Sequence, residues 1–210
     1  MGRRAVAALC RKMYDHGWME GTGGNVSVRS HPGDRVLITA SGFSKGELTS
    51  DQVTEVGLPD GQPVAGTSLS PSRETSLHLA LYVLFSDCAA VVHAHAPYAT
   101  IFATLACRAG CDSVTFADYV IIEGLGPNIQ KRVTVPVFAN HFPVGDVALD
   151  MKSRLRQDSP PVLLLADHGV IGWGPTLEIA RNRLECLEAI CRSELIIAGL
   201  ARPLAFDAKG

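Results

Sequence analysis

Two patterns of apolar and polar residues alternate along the chain. Apolar residues spaced three or four positions apart predict helices, and they occur over residues 3–16, from Pro71 onward, over 97–106 and about 144–157, and after Pro175. Short alternating or wholly apolar runs predict strands, and they occur over residues 25–29, 35–40, 89–96, 132–138, 161–166 and 170–173. Residues 57–71 are rich in glycine, proline and serine and predict a loop. Together these elements predict an α/β fold, and the lack of a repeat or linker predicts one domain over residues 1–210.

Composition and charge narrow the class of protein. Hydrophobic residues make up 47% of the 210 residues, enough for a substantial core. The formal net charge of −2 includes no basic excess that would indicate a nucleic acid or an anionic membrane surface as a partner. No apolar run approaches the ~18 residues that a membrane span needs. The six cysteines form no CxxC pair, which is typical of a reduced, cytoplasmic protein.

The most informative stretch is residues 89–96, AAVVHAHA, in which a buried strand runs into two histidines. Residues two apart on a strand point to the same side, so His93 and His95 can bind one ion together. A second buried strand, 161–166, ends close to His168, and ligand sites in α/β folds gather at such strand ends. Three imidazoles with an open fourth position are typical of catalytic zinc, and they also suit cobalt, manganese or iron. The alternative for His93 and His95 is that one is a hydrogen-bonded core residue and the other faces water.

Two other segments carry candidate polar groups. Residues 20–29, EGTGGNVSVR, place three glycines before a strand. Glycine permits backbone conformations in which successive N–H groups converge on an anion, and the alternative is an ordinary tight turn. Glu74 follows Ser72 at the start of a predicted helix, where Ser72 is a natural N-cap and a carboxylate is stabilised by the helix dipole. Glu74 is therefore either a first-turn residue or a carboxylate that accompanies the histidines.

Five segments occur in an order that resembles the class II aldolase/adducin family: GTGGNVSVR, ITASG, SPSRETSLH, VVHAHAPYAT and LLADHGVIGWG. The resemblance covers the chain from about residue 5 to residue 200. It implies a three-layer α/β/α fold with a central mixed, largely antiparallel sheet flanked by helices. It also implies a phosphorylated ketose as substrate, because the family includes fuculose-1-phosphate aldolases and methylthioribulose-1-phosphate dehydratases. Members of the family commonly form tetramers with sites between subunits, so the resemblance implies such a homo-oligomer as well.

The resemblance also implies roles for individual residues. The zinc ligands would be His93, His95 and His168, and Glu74 would be the carboxylate that acts as acid and base. Tyr119 matches a tyrosine that the aldolases contribute across a subunit boundary. The positions that hold the substrate phosphate in the family correspond here to Thr22, Gly24, Asn25, Ser41, Gly42, Lys45, Ser72 and Arg73.

The choice between two reactions depends on residues 119–124, YVIIEG. The dehydratases of the family carry a catalytic glutamate at the position that aligns with Val120, and valine cannot transfer a proton. The C-terminal stretch HGVIGWGPTLEIARNRLECLEA nevertheless looks more like the dehydratases. Because function depends on the site and not on the fold, the site residues favour an aldolase.

We therefore predict a metal-dependent aldolase that cleaves a ketose 1-phosphate to dihydroxyacetone phosphate and an aldehyde. The expected substrate is of the 5-methylthioribulose, 5-deoxyribulose or fuculose 1-phosphate type. One alternative is a methylthioribulose-1-phosphate dehydratase of methionine salvage, with an acid from elsewhere such as Glu123. The alternative from another class is a non-catalytic, adducin-like interaction module.

Overall fold

A computed structural model describes residues 2–30, 34–64, 66, 68–141 and 143–200. Residue 1 and residues 201–210, the two ends of the predicted domain, lie outside the described residues, as do residues 65 and 67 of the predicted loop. The helices are α1 Gly2–Asp15, α2 Thr75–Leu84, α3 Pro97–Arg108, α4 Val144–Arg154 and α5 Leu177–Gly199, and two short 3₁₀ helices span Ser50–Gln52 and Val120–Leu125. The strands are β1 Asn25–Ser30, β2 Arg35–Thr39, β3 Val53–Gly57, β4 Ala90–Ala94, β5 Ser113–Ala117, β6 Arg132–Phe138, β7 Val162–Leu165 and β8 Gly169–Gly174.

The strands form one eight-stranded sheet in the order β3-β2-β1-β4-β8-β7-β6-β5. Neighbouring strands are antiparallel except for β6 and β7, which run parallel. The predicted mixed, largely antiparallel sheet is therefore confirmed. Strands β4 and β8 lie side by side at its centre, with His93 opposite Ile171 and Ala94 opposite Val170. The end of β4 consequently meets the beginning of β8.

Helices cover both faces of the sheet because side chains alternate along the central strands. Val91 of β4 lies in an apolar cluster on one face, and its neighbour Val92 lies in the cluster on the other face. Helices α2 and α4 contribute to the first cluster, whereas α1, α3 and α5 contribute to the second. This division gives the three layers that the sequence predicts.

The structure differs from the sequence prediction at three elements: strands β3 and β5, which were not predicted, and the start of helix α2. Strand β5 was not predicted because, as an edge strand with only Phe116 buried, it lacks the apolar run that marks the central strands. Helix α2 begins at Thr75 with Glu74 at its cap position, so the predicted start at Pro71 is too early. The Ser72 hydroxyl accepts a hydrogen bond from the Glu74 N–H at 3.4 Å, as a residue that caps the first turn does, and a second one from the Asn25 side chain at 3.0 Å.

The last helix, α5, is the longest of the described helices, with 23 residues. It begins after Thr176, whose hydroxyl accepts a hydrogen bond from the Ile179 N–H as an N-cap does. Its inner face buries Ala180, Leu184, Leu187 and Cys191, as the sequence periodicity predicts. None of the described helices combines the length and the apolar character needed to cross a membrane.

Candidate metal centre

The three histidines singled out in the sequence lie together at the junction of β4 and β8. His93 is in β4, His95 follows that strand, and His168 lies in the turn between β7 and β8. The ring centroids are 4.8 Å apart for His93 and His168, 5.1 Å for His93 and His95, and 5.2 Å for His95 and His168. Two distant parts of the chain thus bring three imidazoles to one point.

The His93 ring is oriented by a hydrogen bond to the main chain. Its Nδ1 lies 3.1 Å from the backbone oxygen of Val170, so Nδ1 carries the hydrogen and donates it. The Nε2 lone pair is then left facing the other two rings. Nε2 of His93 and Nε2 of His95 are both buried without a hydrogen-bond partner. Buried polar atoms normally have a partner, so these two nitrogen atoms indicate that a group from outside the protein binds their lone pairs.

Glu74 closes the cluster from the start of α2. Its Oε1 lies 2.9 Å from His168 Nε2, and its Oε2 lies 3.2 Å from His93 Nε2. The Asn25 side-chain amide donates to the same Oε2 at 2.5 Å and to Ser72 Oγ at 3.0 Å. The carboxylate is therefore held between the imidazoles and Asn25.

The charge states of these groups suit metal binding. Burial lowers the pKa of His93 to about 3 and also lowers the pKa of His95, so both rings are neutral at neutral pH. Burial raises the pKa of Glu74, but the nearby His93 ring and the hydrogen bonds from His168 and Asn25 outweigh it and hold that pKa below its usual range. Neutral imidazoles and an ionised carboxylate are the forms that bind cations.

These residues fit a divalent transition metal. One potential ligand atom from each of Glu74, His93, His95 and His168 lies within 4.8 Å of the others. Three imidazole nitrogens and an adjacent carboxylate match the ligand set of a catalytic zinc site, in which the fourth position remains open to substrate. The unpartnered Nε2 atoms of His93 and His95 favour a metal over a purely structural cluster. Zinc in preference to cobalt, manganese or iron stays a prediction.

Three glycines allow the backbone to approach these rings closely. A Cβ on Gly23 would lie 2.8 Å from His95 Nδ1, and a Cβ on Gly24 would lie 2.9 Å from the backbone oxygen of His93. On the other side, a Cβ on Gly169 would lie 3.2 Å from His93 Cε1. Gly23 and Gly24 of the GTGG segment are thus required by close packing against the histidines, whether or not that segment also binds an anion.

Gly23→Ala is expected to lower metal affinity about 10- to 100-fold, because the new methyl group displaces the His95 ring from its ligand position. Gly145→Ala is a matched control, since a Cβ at that glycine meets no atom within 4 Å. Titration of the metal-free variants with Co²⁺, followed by visible absorption, measures the affinity. Equal affinities for the two variants would show that contact with Gly23 does not position His95.

Several of the predicted phosphate-binding positions are neighbours around Ser72. The Ser72 N–H donates to the oxygen of Thr39 at 3.1 Å, and the Ser41 N–H donates to the oxygen of Ser70 at 2.9 Å. Gly42 has a positive φ of 86° in the turn that follows β2. Because Asn25 also contacts Ser72 and Glu74, the segments that contain Gly24, Asn25, Ser41, Gly42 and Ser72 lie next to one another beside Glu74.

Lys45 is buried near these segments, with only 2% of its area exposed. Its Nζ donates to the backbone oxygen of Thr22 at 2.9 Å and to that of Phe43 at 3.0 Å. Burial lowers the pKa of Lys45, while the charge of Glu74 acts in the opposite direction. Lys45 therefore joins the glycine-rich segment to the turn after β2, and direct contact with a phosphate stays a prediction.

Two predicted site residues are not joined to the cluster. The Arg73 side chain is exposed and makes no hydrogen bond or ion pair with the described residues. The Tyr119 hydroxyl donates to Glu194 of α5 at 2.9 Å, and burial together with this bond to Glu194 raises the pKa of Tyr119. Its action at the site of a neighbouring subunit, and the tetramer itself, stay predictions. Val120 is 88% exposed.

Other residues that support the site were not singled out from the sequence. Glu188 of α5 accepts hydrogen bonds from the backbone N–H groups of Tyr98 at 3.1 Å and Ala99 at 2.7 Å. It thereby caps α3, which begins two residues after His95.

A buried polar group around Ser27 and His78 was also not predicted from the sequence. The available signal was the polar residues interrupting otherwise apolar runs, NVSV in β1 and LHLALY in α2.

Comparison with known proteins defines the class. The model of the class II aldolase and adducin N-terminal domain matches residues 4–195. The chain belongs to the class II aldolase and adducin family. Members of this family typically bind a divalent metal, and the related enzymes act on phosphosugars.

Two relatives illustrate how the sequence compares with individual enzymes. A Nocardia farcinica protein named a probable bifunctional methylthioribose-1-phosphate isomerase/methylthioribulose-1-phosphate dehydratase is 43% identical over 198 residues, which is 91% of this chain. The chain spans about a third of that relative's length, 34%. A methylthioribulose-1-phosphate dehydratase from Microcystis aeruginosa is 37% identical over 194 residues, covering 90% of this chain and 93% of the enzyme.

Solved structures confirm the fold. An L-fuculose 1-phosphate aldolase superposes with a TM-score of 0.78 at 24% identity, covering 98% of this chain and 90% of the aldolase. The L-fuculose-1-phosphate aldolase of Thermus thermophilus gives a TM-score of 0.73 at 25% identity, with 92% of each chain covered. The predicted family and the predicted class II aldolase-like fold are therefore both confirmed.

Proposed function

We propose that this protein is a metal-dependent methylthioribulose-1-phosphate dehydratase. The observation that carries the proposal is the similarity to the Microcystis aeruginosa dehydratase over nearly the whole length of both chains. The relatives thus favour the alternative given above over the aldolase that the residues near Tyr119 indicated. The aldolases among the solved structures are less similar in sequence and support the shared fold.

The cluster suits the chemistry that this reaction needs. A 2-ketose 1-phosphate must lose a proton from C3, next to the C2 carbonyl, and then lose the hydroxyl group of C4. A metal held by His93, His95 and His168 would polarise the carbonyl as a Lewis acid. Two of these three rings are held in place, because His93 is fixed by Val170 and His95 by contact with Gly23.

Glu74 is the proposed proton carrier. As an ionised carboxylate beside the rings, it takes the proton from C3; the electron pair of that C–H bond forms the C2–C3 double bond, and the C2 oxygen takes the negative charge of the resulting enediolate. The C4–O bond then breaks, and the departing hydroxyl group leaves as water with the proton that Glu74 returns. The remaining enol takes up a proton at C4 and becomes a 2,3-diketone, so that one water molecule is lost and all carbon atoms are retained.

Carbon–carbon cleavage is the second candidate function. It begins from the same polarised carbonyl, but the C3–C4 bond breaks: the C4 hydroxyl group gives its proton to Glu74 as C4 becomes the aldehyde carbonyl, and the electron pair of the broken bond passes to C3. Glu74 then delivers that proton to C3. The observation that favours it is the side chain of Val120, which is 88% exposed and supplies no acidic group where the family's dehydratases carry glutamate. The convergence of Glu74 with three imidazoles favours both enzymatic functions over a non-catalytic interaction module.

Identification of the product tests the proposal. The purified, metal-loaded protein is incubated with 5-methylthioribulose 1-phosphate and, in parallel, with fuculose 1-phosphate. Dehydration yields a product one water molecule lighter than methylthioribulose 1-phosphate with every carbon retained, as measured by mass spectrometry. Release of dihydroxyacetone phosphate, detected with a coupled NADH-dependent dehydrogenase, would show cleavage and overturn the dehydratase proposal.

A further inference from the structure

A chain of hydrogen bonds extends from the candidate metal centre into the core. The Tyr82 hydroxyl lies 2.8 Å from Ser27 Oγ, and Ser27 Oγ lies 2.7 Å from His78 Nδ1. His78 Nε2 lies 2.5 Å from Asn25 Oδ1, and the Asn25 amide contacts Glu74. The side chains of Ser27 and His78 are fully buried, and those of Asn25 and Tyr82 are at most 3% exposed.

The periods of one helix and one strand bring these groups together. Glu74, His78 and Tyr82 are four residues apart at the start of α2 and within it, so they lie on one face of the helix. Asn25 and Ser27 are two residues apart on β1 and share one face of the sheet. The row on α2 faces the pair on β1, and the polar groups alternate between the two elements.

Only one arrangement of hydrogen atoms satisfies every member of this chain. The Asn25 NH₂ group donates to Glu74 and Ser72, so Asn25 Oδ1 is an acceptor and His78 Nε2 must carry the ring hydrogen. His78 Nδ1 then accepts from the Ser27 hydroxyl, whose oxygen accepts from Tyr82. Burial lowers the pKa of His78 to about 4, which leaves a neutral ring with one N–H at neutral pH.

The orientation of the Asn25 amide determines what Glu74 meets. If the amide were reversed, its oxygen would face the Glu74 carboxylate, and two acceptors would oppose each other without a hydrogen between them. The N–H of His78 prevents this reversal because it requires an oxygen opposite it. We propose that His78, supported by Ser27 and Tyr82, is a positioning residue that fixes the Asn25 amide and so holds Glu74 against the candidate metal ligands.

The tautomer of His78 tests this proposal without any substrate. In zinc-loaded protein with ¹⁵N-labelled histidine, NMR distinguishes a ring nitrogen that carries hydrogen from one that does not, and the His78 signals are assigned by their loss in His78→Gln. The proposal requires hydrogen on Nε2 and none on Nδ1 at neutral pH. A ring with hydrogen on Nδ1 would overturn it, because Asn25 Oδ1 would then have no donor.

Two substitutions separate positioning from a merely structural role. Glutamine can place an N–H near the position of His78 Nε2, whereas asparagine reaches only toward Ser27. The role of Glu74 rests on the proposed function, so kcat, KM and metal content are measured together. We expect kcat to fall about 100-fold in His78→Asn with KM and metal content little changed, and to be largely retained in His78→Gln.

Tyr82→Phe removes only the last hydroxyl of the chain and keeps the ring that faces the Arg29 guanidinium. We expect its kcat to lie between those of His78→Gln and His78→Asn. Equal kcat values for the two His78 variants would show that the hydrogen bonds from Tyr82 to Asn25 have only a structural role. The same conclusion would follow if the two His78 variants and Tyr82→Phe all lost thermal stability and kcat to the same extent. If the unaltered protein dehydrates nothing, the proposed function fails while the NMR result still decides the positioning of Asn25.

Discussion

His93→Ala is expected to remove the bound metal and to lower turnover at least about 1,000-fold. The ring is fully buried and has one nitrogen fixed by Val170 and the other facing the cluster, so the substitution removes one of the three imidazole ligands. Lewis-acid stabilisation of a developing negative charge contributes several kcal/mol. Loss of about 4 kcal/mol corresponds to about a 1,000-fold decrease in rate.

Metal content by elemental mass spectrometry and kcat with methylthioribulose 1-phosphate provide the measurement. His141→Ala is the matched control, because His141 is exposed and is not part of the cluster. The control should retain both metal and turnover. A His93→Ala protein that keeps a full complement of metal and its activity would show that the metal, if one is required, is bound elsewhere.

The central features of this site could be predicted from the sequence because they depend on short-range geometry. The i, i+2 spacing of His93 and His95 determines that both rings lie on one side of the chain. The position of His168 at the end of a second buried strand indicated a common site, and the pairing of β4 with β8 confirms that the two strand ends meet. These two local signals required no knowledge of the remaining sheet.

Other features could not be predicted because they depend on the pairing of distant elements. Helix α2 was predicted to begin at Pro71 but begins at Thr75, and β1 also brings the Asn25 side chain to the Ser72 hydroxyl. The sequence did not indicate that Lys45 is buried against the glycine-rich segment, and its predicted contact with a phosphate stays a prediction. The role of His78 depends on the register between α2 and β1, for which an isolated histidine in an apolar helix gives no indication.

The second large effect is expected for Glu74→Gln. Glutamine has the same shape and can still accept a hydrogen bond from Asn25, but it cannot take a proton from carbon. General acid–base catalysis by a positioned side chain typically contributes 10²- to 10⁴-fold, so we expect a decrease in kcat within this range. Because three imidazoles remain, the protein should retain its metal, which distinguishes this variant from His93→Ala.

Glu178→Gln is the matched control for Glu74→Gln, since Glu178 is exposed in the first turn of α5 and its loss affects only the interaction with that helix dipole. Metal content, kcat and the products of both variants are measured side by side. If Glu74 carries the proton, dehydration and any residual cleavage decrease together, because both reactions need a proton transferred at C3. Turnover of Glu74→Gln at the rate of the control would exclude Glu74 as the base. A selective loss of dehydration with cleavage retained would assign to Glu74 only the departure of the C4 hydroxyl group.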